Sequence, residues 1–352
     1  MERITVGMSG GVDSAVAAYL LKQGGYDVTG VMLRTWVSDS GEESRCCEID
    51  DARAAAGAIG IPFHVVNCTD DFARNVTAPF IRSYINGLTP NPCIVCNRCL
   101  KWEKMLYMAN VLAADRIATG HYASVVKLDN GRYTLRRAKH ARKDQTYMLY
   151  ALSQEQLSKT VMPLGEYSKE EVRDIAHKTG IPVADKADSQ EICFVPDDDY
   201  AAFIRNTYDG DLPGEGNFTD EAGNVLGRHK GIINYTVGQR KGLGISLGHP
   251  MYVKRIDPVK NEVILAEDEA LYSSRVVCKD VNYMGIPSPS GDEEFRCLAK
   301  IRYRHEAQPA TAIVCGDVLR LEFDEPVRAA TPGQSAVLYD DKECVIGGGV
   351  IV

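Results

Sequence analysis

Three short segments of the sequence combine residue types that could do chemistry. Residues 9–14 read Ser-Gly-Gly-Val-Asp-Ser, residues 93–99 place cysteines at intervals of three, and residues 188–196 read Asp-Ser-Gln-Glu-Ile-Cys-Phe-Val-Pro. The first combination suits the binding of a phosphate group, and the two cysteine segments suit nucleophilic chemistry or metal binding. Long stretches of sequence separate the segments, so only a fold that brings them together could make one site of them.

The Ser-Gly-Gly-x-Asp-Ser segment lies between an apolar run and an amphipathic run, so it is predicted to join a strand to a helix. Its glycines let the backbone approach a ligand closely, and the following helix start offers unpaired N–H groups and a positive dipole end. Ser9 and Ser14 add hydroxyl groups. The Gly-Lys-Ser/Thr of a P-loop is missing, which argues against transfer of a γ-phosphate. The simplest alternative is a tight strand-to-helix turn capped by Ser or Asp.

Cys93, Cys96 and Cys99 lie ahead of a predicted helix, after two prolines that fix an extended lead-in. A helix start and the nearby basic residues Arg98 and Lys101 would favour the reactive thiolate form. The alternative is a zinc knuckle, which needs a fourth ligand from elsewhere in the chain. The cysteine of the third segment, at position 193, could supply that ligand, although by itself it would be interpreted as a buried strand cysteine.

The first part of the chain alternates strand-like and helical patterns, which predicts an α/β fold with a parallel, doubly wound sheet. Such sheets bind ligands outside the carboxyl ends of their strands, where the Ser-Gly-Gly segment falls. The predicted strands are residues 3–8, 28–33, 62–67 and 116–119. The predicted helices are residues 13–23, 48–58, 70–85, 101–112, 154–160 and 169–179, with a short helix opening at 197–200.

Beyond about residue 200 the pattern changes to short β-like runs separated by Gly, Pro and polar breaks. These runs are residues 231–236, 251–256, 262–266, 297–304, 311–314, 318–323 and 335–339. We therefore predict three domains: the α/β domain at 1–200, a small mixed or β domain at 201–272, and a C-terminal antiparallel β-barrel at 273–352.

The chain has 352 residues, a net charge of −8 and 45% apolar residues, as is usual for soluble globular proteins. The acidic balance argues against indiscriminate nucleic-acid binding but allows a local basic patch. Such a run is formed by Arg132, Arg136, Arg137, Lys139, His140, Arg142 and Lys143. Neither a membrane span nor a secretory signal is evident, so we expect a cytoplasmic protein with no membrane partner. Its eleven cysteines then point to metal binding or catalysis rather than to disulfide stapling.

The Ser-Gly-Gly-x-Asp-Ser loop resembles the pyrophosphate loop of the ATP-pyrophosphatase superfamily, whose members cleave ATP between its α- and β-phosphates. With the cysteine segments, the sequence resembles the bacterial tRNA 2-thiouridylase family over essentially the whole chain. The matching segments, in order, are residues 7–14, 30–36, 91–102, 119–123, 143–149, the Cys193 segment, 235–244, 301–304 and 332–334. The resemblance implies a sheet of the ATP-pyrophosphatase type. It also implies an enzyme that adenylates C2–O of the wobble uridine, position 34 of tRNA, and replaces that oxygen with sulfur, releasing AMP and pyrophosphate.

The resemblance further implies roles for particular residues. Those expected to hold ATP, with Mg²⁺ on its pyrophosphate, are Gly7, Met8, Ser9, Gly10, Gly11, Val12, Asp13, Ser14, Leu33 and Gly120. Cys96 is expected to be the attacking thiol, and Cys193 to carry sulfur as a persulfide received from a cysteine desulfurase or a persulfide relay protein. Those expected to touch the target base are Asn91, Pro92 and Cys93. Those expected to contact tRNA elsewhere are His121, Lys143, Asp144, Gln145, Arg302, Tyr303 and Gln334.

Two cysteines depart from one common form of that family. Cys93 stands where many relatives have an aspartate, and Cys99 stands where no cysteine is expected. Cys93, Cys96 and Cys193 could together hold a 4Fe-4S cluster whose open iron binds hydrosulfide. Alternatively, Cys193 delivers the sulfur, Cys96 resolves the persulfide, and a Cys96–Cys193 disulfide remains. The sequence alone favours the cluster, because a second cysteine so near the nucleophile is a liability near oxidants. Cys99 would be a bystander or a fourth ligand.

Two other classes of function stay open on the sequence. One is a different enzyme of the same superfamily, either another tRNA thiolase or an amidating synthetase, although no glutaminase-like domain that would supply ammonia is evident. The other is an RNA-binding or redox-sensing protein with a structural zinc or iron–sulfur site. Such a protein has no need of a pyrophosphate loop, so tRNA-dependent conversion of ATP to AMP separates it from the enzymes.

Overall fold

The computed structural model describes residues 1–37, 48–186 and 192–352. The strands of its first part are β1 (Arg3–Gly7), β2 (Asp27–Arg34), β3 (Phe63–Asn67), β4 (Arg116–Ala118), β5 (Ala123–Lys127), β6 (Tyr133–Arg137) and β7 (Thr160–Val161). Within the described ranges, five of them form a parallel sheet in the order β3-β2-β1-β4-β7. β5 and β6 pair separately as an antiparallel hairpin. The predicted α/β fold with a parallel sheet is confirmed.

Helices cover both faces of this sheet. They are α1 (Val12–Gln23), α2 (Ile49–Ile59), α3 (Thr69–Phe72), α4 (Ala78–Ile85), α5 (Pro92–Cys96), α6 (Trp102–Val111), α7 (Gln154–Ser158), α8 (Lys169–Lys178) and α9 (Tyr200–Thr207). The apolar sides of α1, α2 and α8 pack together with β1 in one core, and α6 packs with β4 in another. The fold is therefore doubly wound, as predicted, because apolar side chains of the strands are buried on both sides of the sheet.

The order of the strands places a crevice beside β1. The chain moves from β1 to β2 and β3 on one side, then returns to add β4 and β7 on the other. β1 ends at Gly7 and α1 begins at Val12, so the predicted phosphate segment occupies the turn at the carboxyl end of the central strand. A reversal of strand order at this position is where open parallel sheets bind their ligands.

Several element boundaries differ from the sequence prediction. The cysteine segment is itself helical, because α5 continues through a π-helical turn, Asn97–Lys101, into α6. The predicted helix at 154–160 ends at Ser158, and the next residues form the edge strand β7. The predicted strand at 231–236 is wrong: Gly231 has a φ of 104° and leads into a short 3-10 turn, Ile232–Asn234.

A small sheet follows the α/β part. Its strands are β8 (Gly216–Thr219), β9 (Val225–His229), β10 (Tyr252–Asp257) and β11 (Glu262–Ala266), in the order β10-β11-β8-β9. The sheet is mixed, since β8 and β11 are parallel while the other pairs are antiparallel. Its core is built around Phe218 and Tyr235, whose rings meet edge to face at 5.2 Å.

The last part of the chain, which is described throughout, closes into an antiparallel barrel in the order β12-β15-β14-β13-β16-β17. Its strands are β12 (Tyr272–Tyr283), β13 (Glu293–Lys300), β14 (Gln308–Cys315), β15 (Val318–Arg328), β16 (Ser335–Tyr339) and β17 (Val345–Ile351). The predicted C-terminal β-barrel is confirmed. Closure pairs every strand on both sides, which leaves no open sheet edge.

The barrel packs against the α/β part through the β5–β6 hairpin. Arg137 N–H donates to Glu343 O at 3.0 Å, and Arg136 forms an isolated bridge with Cys344. Thr134 Oγ1 also donates to Val345 O at 2.6 Å in a buried contact.

No helix in the described ranges is both long enough and apolar enough to cross a lipid bilayer.

Candidate active site

The hydroxyl groups of the predicted phosphate loop fold it onto itself. Ser14 Oγ donates to Gly11 O at 3.0 Å and accepts from Ser9 N–H at 3.1 Å. Gly10 has a φ of 80°, a backbone conformation that is strained for residues with a side chain. Glycine also leaves room for Glu48, because a Cβ atom at position 10 would lie 2.7 Å from the carbonyl oxygen of Glu48. No side chain caps α1, which leaves its first N–H groups available to an anion.

Asp13 points away from the loop into a network of two donors. Its Oδ1 accepts a hydrogen bond from Lys169 Nζ at 2.7 Å and another from Tyr122 Oη at 2.7 Å. Lys169 is buried, with 7% of its surface exposed, and it neutralises the carboxylate. A carboxylate that is neutralised in this way would repel a phosphate group near the loop less strongly.

The other residues expected at the ATP site contribute backbone or packing. The side chains of Met8 and Val12 are buried in the core, so only their main chains can face a ligand. Gly7 ends β1, and Leu33 lies near the end of β2, partly buried where two apolar clusters meet. Gly120 packs on the start of α1, where a Cβ would lie 2.6 Å from Ser14 N.

The cysteine helix begins on a side-chain cap. Asn91 Oδ1 accepts a hydrogen bond from Cys93 N–H at 3.2 Å, and Asn97 Nδ2 donates to Met148 O at 3.0 Å. Cys99 is exposed to solvent. Cys96, by contrast, is 7% exposed and points into an apolar cluster.

Cys193 packs against the same apolar cluster as Cys96, although it lies far away in the sequence. The ring of Phe194 brings it there, because Phe194 meets Phe72 and Phe80 edge to face with centroids 5.3 Å apart in both pairs. The predicted Cys193 segment starts at residue 188, and its residues up to 191 lie outside the described ranges.

The three candidate cluster ligands do not form a metal site as they are placed. Among the described residues, no group of three or more His, Cys, Asp or Glu side chains is arranged to hold a metal ion. Cys96 and Cys193 share the apolar cluster, whereas Cys93 lies outside it and on the side of Tyr303. Burial raises the pKa of Tyr303, and nearby Asp144 and Cys93 add to that effect. As they are placed, these three cysteines do not fit a 4Fe-4S cluster.

The expected tRNA-contacting loop is organised by a buried carboxylate. Asp144, 2% exposed, accepts hydrogen bonds from Ala138 N–H at 3.1 Å and from Thr146 Oγ1 at 2.8 Å. Gln145 Oε1 accepts from Tyr122 N–H at 2.9 Å. Asp144 and Gln145 thus shape the loop from inside, and Lys143, which is half-exposed, is the member of this trio that presents charge at the surface.

His121 is a neutral residue at physiological pH. Burial, with a smaller contribution from the charge of Lys101, lowers the pKa of His121 to about 3. Its Nδ1 lies 2.9 Å from Thr119 Oγ1, and its ring is tilted against Trp102 at a centroid distance of 5.5 Å. An uncharged imidazole can hydrogen-bond to RNA but adds no charge attraction for phosphate.

Several side chains of the basic run at 132–143 interact with other residues of the chain. Arg132 donates to the carbonyl oxygens of Tyr283 and Met284 on the barrel, at 2.8 and 3.0 Å. Arg136 pairs with Glu166 at 2.9 Å, and Arg137 stacks on the Tyr339 ring. Arg142 is fully at the surface, beside Lys143.

The barrel holds the segment that precedes the cysteine helix. Gln334 Nε2 donates to Thr89 O at 2.8 Å, and Thr89 N–H donates to Pro332 O at 2.9 Å. Arg302 Nη2 donates to Val237 O at 2.8 Å, which ties the barrel to the small sheet. Thr89, two residues before Asn91, thus contacts the barrel at Pro332 and Gln334 and also the hydroxyl of Thr236.

Sequence reasoning did not identify two residues of the loop network, Lys169 and Tyr122. Lys169 follows Ser168, which with Glu171 forms a capping box at the start of α8. That pattern predicts a helix start and carries no sign of a partner at Asp13. Tyr122 lay within a segment matched to a family, but only the tertiary fold shows its hydrogen bond to Asp13.

Comparison with known proteins gives a consistent family. The chain matches three family profiles, described as a tRNA methyl transferase HUP domain at residues 2–197, a tRNA methyl transferase PRC-barrel domain at 203–267, and an aminomethyltransferase beta-barrel domain at 273–351. A protein of Lachnoclostridium phytofermentans named tRNA-specific 2-thiouridylase MnmA is 50% identical, over 100% of both chains. Proteins with the same name from Clostridium perfringens and Clostridioides difficile are each 47% identical, over 99% of this chain and 98% of theirs.

Gly120→Ala is expected to destabilise the protein by about 1–3 kcal/mol, because the new methyl group meets the backbone of Asp13 and Ser14, which cannot move aside cheaply. Urea unfolding of the full chain measures the change. Gly57→Ala is the matched control: its Cβ meets nothing within 4 Å on the helix α2, so it is expected to be neutral or stabilising. Equal stability of the two variants would contradict this role for Gly120.

Proposed function

Because the chain belongs to the tRNA-specific 2-thiouridylase family, we propose that it is a tRNA-uridine 2-sulfurtransferase that replaces O2 of the wobble uridine, position 34, with sulfur. Mg·ATP is the activating substrate, and AMP and pyrophosphate are the products. The observation that carries the proposal is that Cys96 lies in an apolar cluster against which the distant Cys193 also packs. The grouping of strands into a parallel sheet, a mixed sheet and a barrel supports domain bounds of 1–200, 201–272 and 273–352.

The first step makes the uridine oxygen a leaving group. O2 of uridine attacks the α-phosphorus of ATP, the α–β bridging bond breaks, and pyrophosphate leaves with its magnesium ion. The N–H groups at the start of α1 and the hydroxyls of Ser9 and Ser14 are placed to hold that pyrophosphate. Asp13 is neutralised by Lys169, so it holds the loop in shape rather than acting as a base.

The second step transfers sulfur. A persulfide on Cys193, loaded by a cysteine desulfurase or a persulfide relay protein, attacks C2 with its terminal sulfur and expels AMP. The Cys96 thiolate then attacks Cys193 Sγ, which breaks the S–S bond to the transferred sulfur and releases 2-thiouridine. The remaining Cys96–Cys193 disulfide needs two electrons from an external thiol reductant before the next cycle.

The tRNA lies across the loops that surround this cluster. We propose that Asn91, Pro92 and Cys93 touch the flipped base, because Asn91 caps the helix that carries Cys96 and Pro92 and Cys93 form its first turn. His121, Lys143 and Gln145 contact the tRNA as well, with Asp144 shaping their loop from within. Arg302, Tyr303 and Gln334 add contacts from the barrel, whose Tyr303 lies close to Asp144 and Tyr147 of that loop.

Ser14→Ala and Asp13→Ala are expected to lower thiolation by about 100-fold or more while tRNA still binds, because both residues shape the pyrophosphate loop. Ser158→Ala, which removes an exposed hydroxyl on α7, is the control. Chromatography of the nucleotides must show AMP and pyrophosphate, and mass spectrometry of the nucleoside must show oxygen exchanged for sulfur. ADP and phosphate as main products, or an added methyl group, would contradict the proposal.

Cys96→Ala and Cys193→Ala are each expected to reduce sulfur transfer to background. Cys93→Ala is expected to keep partial activity and a Cys96–Cys193 disulfide detectable by peptide mapping, because Cys93 lies outside the apolar cluster. Cys99→Ala, on an exposed cysteine, is the control and is expected to be mild. Loss of bound iron, visible absorption and activity together in Cys93→Ala would instead support a cluster.

Neutralising the surface charges of Arg142 and Lys143, as Arg142→Gln with Lys143→Gln, is expected to weaken tRNA binding. The salt dependence of log K should flatten by about one unit for each lost phosphate contact. Arg132→Gln removes bonds to the barrel rather than surface charge, so it is expected to lower stability without that change in slope. Wild-type affinity and slope in the double variant would show that these residues form only a solvated face.

A further inference from the structure

Lys186 reaches the phosphate loop from the segment that follows α8. Its Nζ donates to Gly10 O at 3.2 Å and makes ion pairs with Glu48 and Asp51 at the start of α2. The side chain is about a quarter exposed, at 26%. An ammonium group is thus held directly beside the loop at Gly10, in addition to the Lys169 ammonium that is bonded to Asp13.

The charges around Gly10 do not suit a phosphate site as they stand. Two carboxylates, of Glu48 and Asp51, face one ammonium, so the group carries net negative charge next to N–H groups that are placed for an anion. On the inner side, the charge of Lys169 is already matched by Asp13. Lys186 therefore contacts the loop at Gly10 O, while its two ion-pair partners, Glu48 and Asp51, lie outside the loop.

A purely structural role does not account for this arrangement. The start of α2 is already packed on the loop by backbone, since a Cβ on Gly10 would lie 2.7 Å from Glu48 O. A salt bridge at a partly exposed site adds little stability to such a contact. A lysine that exchanges its carboxylate partners for phosphate oxygens gains charge-assisted hydrogen bonds, and magnesium brought with the nucleotide can take up the released carboxylates.

We propose that Lys186 is a ligand of the β- and γ-phosphates, held ready at Gly10 by Glu48 and Asp51, and that it makes the loop select nucleotides that carry a pyrophosphate group over AMP. This inference rests on the proposed use of ATP. It assigns a second role to the two carboxylates, which would be available to hold magnesium brought with the nucleotide after Lys186 turns to the phosphates. No covalent bond is made or broken when Lys186 exchanges these partners.

Lys186→Met tests the proposal by calorimetric titration of the full chain with pyrophosphate, ATP and AMP. Affinity for pyrophosphate and for ATP is expected to fall about tenfold or more, while affinity for AMP is unchanged. Lys186→Arg, which keeps the charge, is expected to retain most of the affinity. Lys254→Met is the matched control, because it removes a lysine from a surface ion pair with Glu221. Unchanged affinity for all three ligands, or an equal fall for all three, would overturn the proposal.

Glu48→Gln with Asp51→Asn gives a second, opposite test. If the carboxylates only restrain Lys186, then magnesium-free pyrophosphate is expected to bind several-fold more tightly to this double variant. Weaker binding of magnesium-free pyrophosphate would mean that the group only fastens α2 to the loop. A wild-type chain that binds neither ATP nor pyrophosphate would overturn the ATP-dependent function as well, whereas normal wild-type binding with an unaffected Lys186→Met would overturn only the role of Lys186.

Discussion

The carboxylate of Asp13 is the point on which the geometry of the site depends. It accepts hydrogen bonds from Lys169 at the start of α8 and from Tyr122 after β4, so it joins three segments at the carboxyl edge of the sheet. Tyr122 in turn donates its N–H to Gln145, in the loop expected to face tRNA. Tyr122 therefore joins residues 9–14, the proposed nucleotide loop, to the loop proposed to face tRNA. Breaking the largely buried Lys169–Asp13 ion pair would leave one charge without its partner, which costs free energy. That cost favours the observed arrangement of the network.

A second constraint positions Cys96, one of the two cysteines proposed to transfer sulfur. Gln334 and Pro332 of the barrel form hydrogen bonds with the backbone of Thr89. Two residues later, Asn91 caps the helix that carries Cys96. The helix fixes the direction of its side chains, so Cys96 enters the apolar cluster while Cys99 stays at the surface. The C-terminal barrel thus positions a residue of the first domain in addition to any surface it offers to tRNA.

The sequence predicts those features of the fold that depend on patterns among neighbouring residues. Alternating strand and helix periods, and the loop after β1, are local patterns, and they predicted the parallel sheet and the place of residues 9–14. Lys169, Tyr122 and Lys186 carry no local sign of their partners, because those partners are distant in the sequence. Gly231 looked like the start of a strand because apolar residues follow it, but its positive φ turns the chain instead. The three-thiolate cluster was inferred from spacing, and spacing does not show that Cys96 turns into an apolar cluster that Cys93 does not enter.

The apolar setting of the two cysteines meets a conflict inherent in the proposed reaction. An adenylated uridine is attacked readily by water as well as by sulfur, so the attacking persulfide must work where water is scarce. Cys96 is buried in a cluster that includes Phe72, Phe80 and Phe194, and the partly buried Cys193 packs against the same cluster. The phosphate loop needs the opposite environment, with exposed N–H groups and a hydrated metal–pyrophosphate. Placing the loop at the end of β1 and the thiols in a separate aromatic cluster satisfies both demands, and the base of the tRNA is the one group that must reach between them.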